Sequence, residues 1–244
     1  MRFRIDLNAT DKRIPIGNRM MICSLIKKAV ELGDNELFNS IYLYEDKKSK
    51  KIKDFTFSIY LRDFEAKEGY IVVDGNMTVT ISTTDYNIGI AIYNGLLSTR
   101  NFDYKGYNLE IKKVTLLKEK KVNSNTITCK TLSPIFIRNT DGKAIDISED
   151  KFEDTLNYIC DLYLKTYRGF GLKERLRFNP VSMKKVVIKE EISDFKDKTG
   201  KQFIFIDAYK GIFNLEGDVN DLQLLLEAGV GFRRSEGFGL IDLI

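Results

Sequence analysis

Histidine and tryptophan are absent from this chain of 244 residues, and cysteine and proline occur three times each. Without histidine the commonest general acid and base near neutral pH is missing, and so is the commonest zinc ligand, so no zinc site is expected. Cys23, Cys129 and Cys160 stand far apart among apolar or β-branched neighbours, the setting of buried free thiols in a reducing compartment. No run of about eighteen apolar residues occurs, which excludes a hydrophobic spanning helix. The segment Met1-Arg2-Phe3-Arg4-Ile5 passes straight into strand-like alternation, without the regions of a signal peptide, and a cytoplasmic protein is expected.

With 43% hydrophobic and 30% charged residues the composition is that of a globular protein, long enough for one large domain or two small ones. The net charge of +4 is modest, but the basic residues are bunched, and bunching decides partners more than the total does. Five lysines fall within Lys47 to Lys53, a density that repels itself and reads as a solvated loop or a polyanion contact. A second concentration lies in Gly229 to Gly239, where four glycines surround the adjacent Arg233 and Arg234. Glycine accepts positive φ and close approach of a partner, so free N–H groups and both guanidinium forks are expected to face outward, as a phosphate-binding loop requires. The order here is helix, loop, strand, which matches neither a Walker loop nor a dinucleotide fingerprint. A purely structural glycine turn is the competing reading.

Along the chain, Arg2 to Leu7 alternates as a strand, and Arg19 to Leu32 is a helix burying Ile22, Leu25, Ile26, Ala29 and Val30. A short helix runs from Asn35 to about Leu43. Asp54 to Leu61 is a strand, and Gly69 to Asp74 with Met77 to Ser82 reads as a hairpin turned by Asp74-Gly75-Asn76. Asp85 to Leu97 is helical despite Gly89 and Gly95, and Tyr107 to Leu117 is a strand. This succession is the split βαβ pattern of a ferredoxin-like domain. The second half repeats it: strand Thr126 to Ile137, broken at Pro134; helix Glu149 to Tyr167, with Ser148 as N-cap and first-turn acids serving the macrodipole; strands Val186 to Ile192 and Phe203 to Leu215; helix Val219 to Ala228; strand Leu240 to Ile244. An α+β protein of two tandem ferredoxin-like (RRM-like) domains with antiparallel sheets is expected, with residues 1–122 as the first domain and 123–244, carrying the glycine-rich loop, as the second.

At this level the chain resembles the RAMP superfamily of CRISPR RNA-handling proteins, in particular its repeat-cleaving endoribonucleases, the Cas-six family. The resemblance rests on Asp54-Phe55-Thr56-Phe57-Ser58, Asn94-Gly95-Leu96-Leu97, Thr131-Leu132-Ser133-Pro134-Ile135 and the terminal glycine loop, in that order. It implies binding of CRISPR repeat RNA and cleavage without metal or cofactor, the 2′-hydroxyl attacking the scissile phosphate to leave a cyclic phosphate. It implies other Cas proteins of an effector complex as partners, and a homodimer. In many relatives a histidine, a tyrosine and a lysine act, and their places fall at Tyr42, Lys27 and Lys53, with Asn39 as the other histidine place. Three readings stay open: slow cleavage by Tyr42, Lys27 and Lys53; binding without cutting; or a natural histidine replaced at Asn39 or Tyr42. The RNA-binding candidates are Arg19, Lys47, Lys48, Lys50, Lys51, Gly229, Gly231, Arg233, Arg234, Ser235, Gly237 and Gly239, with Phe57, Tyr60 and Tyr86 able to stack on bases or to fill a core. A general single-strand RNA module fits less well, because the aromatic motif of ordinary RNA-recognition domains is missing.

Overall fold

The computed structural model describes residues 1–44, 47–48, 52–191 and 203–244. Packing divides the chain into two units, the first of Met1–Phe55, Ile59–Lys118 and Lys189–Ile204, the second of Thr56–Ser58, Glu119–Ile188 and Phe205–Ile244. A single cut after residue 122 would miss both short exchanges, since Thr56–Ser58 packs with the later residues and Lys189–Ile204 with the earlier ones.

In chain order the elements of the first half are β1 (Arg2–Ala9), β2 (Arg13–Pro15), α1 (Asn18–Gly33), α2 (Asn35–Tyr42), β3 (Leu43–Tyr44), β4 (Lys47–Lys48), β5 (Thr56–Leu61), β6 (Phe64–Ala66), β7 (Tyr70–Val73), β8 (Met77–Ser82), α3 (Tyr86–Ser98), β9 (Asn101–Tyr104) and β10 (Tyr107–Leu116). The main sheet runs β5-β8-β1-β10-β9. Central β1 is antiparallel to both neighbours, with Ile5 opposite Val79 and Val114. Its alternation buries Phe3, Ile5 and Leu7. The second half follows with β11 (Thr126–Thr131), α4 (Asp150–Arg168), β12 (Arg177–Glu190), β13 (Ile204–Glu216), α5 (Val219–Ala228) and β14 (Ile241–Leu243). Its sheet order, β12-β13-β11-β14, repeats the order β5-β8-β1-β10, so each half is a ferredoxin-like βαββαβ fold with an antiparallel sheet.

Several local expectations change. The segments 69–74 and 77–82 are not a hairpin: β7 pairs with β2 and β6 in a separate three-stranded sheet, whereas β8 pairs with β1. Asp74-Gly75-Asn76 carries the chain from one sheet to the other, held by Asp74 N–H to Asp63 O at 2.9 Å and Arg62 N–H to Asn76 O at 3.2 Å. Ser148 is not the N-cap of α4: Glu149 holds that place, and the Ser148 hydroxyl donates to Asp146 at 2.7 Å. The Asp146 carboxyl, held down to about 2 by the Ser148 N–H first and then by the Tyr209 and Ser148 hydroxyls, anchors the turn before the helix. The first-turn acids Asp150 and Glu153 and the last-turn Lys165 and Arg168 complement the helix dipole, and Gly169, at φ 88°, ends it. Sequence reading missed the first part of β12, from Arg177, because it is polar and holds Pro180; the strand lies at a sheet edge, where proline costs no ladder bond.

Gly95 is kept in α3 by packing. A Cβ there would lie 1.8 Å from the Ala29 carbonyl oxygen of α1, and one at Gly33 would lie 1.9 Å from that of Ala91, so the two helices meet backbone to backbone. Alanine raises helix propensity by about 1 kcal/mol over glycine in an open helix. Here the clash is with backbone that cannot swing away. Gly95→Ala is therefore expected to lower stability by about 1–3 kcal/mol, read as a fall in the urea midpoint; a raised midpoint would show that the crossing relaxes.

Candidate functional site

The first group of site residues is built on α2. Asp34 caps this helix, its carboxylate accepting from Leu37 N–H at 2.9 Å. The spacing of Phe38 and Tyr42 then stacks their rings, with centroids 5.1 Å apart. From α1, the Lys27 ammonium reaches both rings at 5.6 Å, and Lys53 approaches the Tyr42 ring to 4.8 Å. Three candidates distant in sequence therefore converge on one phenol. Asn39 lies exposed on α2.

Burial, and secondarily the neighbouring Cys23, raise the Tyr42 pKa well above the usual phenol range. A field of lysines could lower such a value; here burial dominates, and the lysines hold the ring faces as cation–π partners. The cluster thus offers a neutral O–H and two ammonium groups, which suit proton donation and anion stabilisation and not proton acceptance. Cys23 also acts on Tyr104, whose pKa is raised by burial first and then by Glu191, Cys23 and Glu190. These four neighbours carried no sequence motif, and only the fold of the first unit gathers them. Glu190 is buried and ion-pairs with Arg19 at 3.2 Å, so Arg19, a candidate for RNA contact, is 18% exposed and has its charge offset by a carboxylate. Lys47 and Lys48 are not in a loop: they form β4, paired with Tyr44 and Leu43. Lys50 and Lys51 lie outside the described residues.

The glycine-rich loop is the second group, and several of its N–H groups are bonded within its own unit. Val230 N–H donates to Gly239 O at 2.9 Å, Gly239 N–H to Pro134 O at 2.8 Å, Phe232 N–H to Phe136 O at 2.9 Å, and Gly231 N–H to the Cys160 thiol. A Cβ at Gly239, at φ 73°, would lie 1.8 Å from Val230 O; one at Gly237 would meet the Phe57 ring at 2.7 Å. The glycines thus let the loop close on its own unit, and Gly229 and Gly231 take positive φ in the same closure.

Arg234 corrects the expectation of two outward forks. It is 8% exposed, donates from Nη1 to the carbonyl of Ala228, the last residue of α5, at 3.0 Å, and lies 3.8 Å from the Tyr163 ring centroid. A helix C-terminus and an aromatic face both favour a cation, which is how a buried guanidinium is tolerated here. Arg233 takes the left-handed conformation at φ 56°, is partly exposed, and pairs with Glu236 at 3.3 Å. Ser235 sits in the short 3-10 turn, partly buried. Phe57 is fully buried, whereas Tyr60 and Tyr86 are exposed.

Among the described residues no helix is long and apolar enough to cross a membrane. The solved structure of a Cas6-related gene product from Pyrococcus furiosus is similar at a TM-score of 0.82 and 19% identity, covering 100% of this chain and 98% of that one. A RAMP protein described as binding different RNA substrates is similar at a TM-score of 0.79 and 18% identity, over 100% and 99% of the chains. In sequence, the CRISPR-associated endoribonuclease Cas6 of Pyrococcus furiosus is 29% identical over 254 residues, covering 100% of this chain and 90% of that protein. Residues 117–243, just over half of the chain, match the family described as CRISPR associated protein Cas6, C-terminal, and the chain belongs to the Cas6 family.

Proposed function

We propose that this chain binds CRISPR repeat RNA and cuts the precursor transcript into guide RNAs by attack of a 2′-hydroxyl on the adjacent phosphate. The observation that carries this reading is the convergence of Lys27 and Lys53 on Tyr42. Membership of the family supports it, as do a sequence relative named as an endoribonuclease and a structural relative named for binding RNA substrates. In the reaction the 2′-oxygen bonds to phosphorus and the bond from phosphorus to the 5′-oxygen breaks, giving a cyclic phosphate and a 5′-hydroxyl. Lys27 and Lys53 stabilise the charge that gathers on the phosphorane, and the neutral Tyr42 hydroxyl donates a proton to the leaving 5′-oxygen. The 2′-proton passes to hydroxide from solvent.

A second reading, in which the chain holds repeat RNA without cutting it, within an effector complex of Cas proteins or as a homodimer, is favoured by one observation. Burial keeps Tyr42 protonated, so it cannot replace a histidine base. Labelled repeat RNA in EDTA, beside a copy with a deoxy sugar at the cut site, separates the two. Cleavage of the ribose strand alone supports the nuclease; tight binding of both with no product supports the holder.

If it cuts, the rate is expected to rise about tenfold per pH unit between roughly pH 6 and 9, because hydroxide takes the proton. No alkaline fall is expected there, since the raised Tyr42 pKa retains its acid form through that window. Tyr42→Phe is expected to lower kcat by about 10²–10⁴ with RNA affinity unchanged, and an unchanged kcat would remove Tyr42 as the acid. For the loop, Arg233→Ala is expected to weaken RNA binding and flatten the log–log salt slope by about 0.7. Arg234→Ala is expected instead to cost on the order of 2–4 kcal/mol of stability, measured by urea unfolding. A salt slope unaltered in Arg233→Ala would take the loop off the RNA path.

A further inference from the structure

The second unit contains a cleft of about 650 Å³ whose lining includes Arg138, Asn139, Lys151, Thr155, Tyr158 and Phe232. That volume is in the range of sites that take small organic ligands. Its charge is positive. Asp154 also lines it, but Arg175 holds that carboxylate in an ion pair. Among the described residues, neither Arg138 nor Lys151 has a carboxylate within ion-pair distance. The Arg138 guanidinium is held in place by the Phe232 ring, 5.0 Å from its centroid, so its orientation is set without neutralising its charge. Tyr158 projects from α4 and leaves 63% of its surface in solvent, an aromatic face that the fold itself does not use. Asn139 and Thr155 add hydrogen-bonding groups.

Two unpaired cations beside an exposed aromatic ring and an amide select a ligand that is anionic at one end and flat and polar-edged at the other. We infer that this cleft takes one unpaired nucleotide, with its phosphate on Arg138 and Lys151 and its base on the Tyr158 ring. For the source of that nucleotide the inference rests on the RNA reading; a free mononucleotide shares the chemistry. The cleft belongs wholly to the second unit, whereas Tyr42, Lys27 and Lys53 belong to the first. It therefore makes RNA affinity depend on residues outside the reacting group.

The test uses the full chain and two probes, AMP followed by ligand-detected NMR, and single-stranded repeat RNA followed by fluorescence anisotropy. Tyr158→Ala is expected to weaken RNA binding about 5- to 150-fold, the range for loss of one stacked base, and Tyr158→Phe to restore it, because the ring and not the hydroxyl does the stacking. Lys151→Ala is expected to flatten the salt slope by about 0.7. Both positions are exposed, so neither change burdens folding. If AMP binding is lost in Tyr158→Ala while RNA affinity stays put, the nucleotide chemistry stands and RNA is overturned as its source. If neither probe responds to Tyr158→Ala and Lys151→Ala, the inference fails. The RNA reading itself stands or falls on the wild-type affinity alone.

Discussion

Arg234 is charged and buried at once, and the closing segment of the second unit is built to make that tolerable. Its Nη1 satisfies the terminal carbonyl of α5 at 3.0 Å while Tyr163 covers the guanidinium at 3.8 Å. To bring it there the chain must turn back within a few residues, which sets Arg233 in the left-handed region and places glycine at 237 and 239 with positive φ. The turn then delivers Leu240, whose carbonyl accepts from Leu132 and Ser133 N–H at 2.8 and 3.1 Å and whose N–H donates to Ser133 Oγ at 2.9 Å. Beyond this docking point β14 pairs with β11, over three residues. A strand that short adds little pairing energy of its own. The loop, its buried cation and its internally bonded N–H groups are what complete the second ferredoxin-like sheet.

A glycine-rich, arginine-bearing loop therefore has two chemistries open to it, and local sequence does not separate them. Backbone N–H groups bind phosphate only when no carbonyl within the fold has claimed them. Here the N–H groups of Val230, Phe232, Gly237 and Gly239 are claimed, and the Arg233 side chain is shared with Glu236. Other cations of the chain pack on aromatic rings. Lys27 and Lys53 meet aromatic rings, and Arg138 meets Phe232. Such packing orients a cation without cancelling it.

The elements legible in the sequence are those whose periodicity reports burial: β1 with Phe3, Ile5 and Leu7 inward, α1 with its apolar stripe, and α5 with Leu222, Leu225 and Leu226. Where partners decide, the sequence is mute. Asp74-Gly75-Asn76 has hairpin chemistry, yet its hydrogen bonds go to Arg62 and Asp63 and it joins two sheets. Arg19 looks like any exposed helical arginine until Glu190, far along the chain, takes its charge. The meeting of Lys27, Tyr42 and Lys53 was legible only through resemblance, since no spacing rule links them. The direction of the Tyr42 shift was not legible at all, because it depends on how far tertiary packing removes the phenol from water.

That direction decides which half of the chemistry the cluster can serve. Raising a phenol's pKa strengthens its hold on the proton, so it serves neither as a base nor as a metal-like anion; it remains an O–H donor. A missing general base forfeits about 10²–10⁴ in rate, roughly 3–5 kcal/mol. A preorganised donor or cation at the developing charge returns about 3–4 kcal/mol. The two terms are of the same size. Under the cleavage reading, a Cas6-family chain with this cluster keeps the electrostatic part of its catalysis and loses the proton-accepting part, and its turnover is set by how often hydroxide reaches the 2′-oxygen. Under that reading a slow chemical step is compatible with tight binding, because uniform binding energy that would hinder fast turnover costs little when turnover is rare.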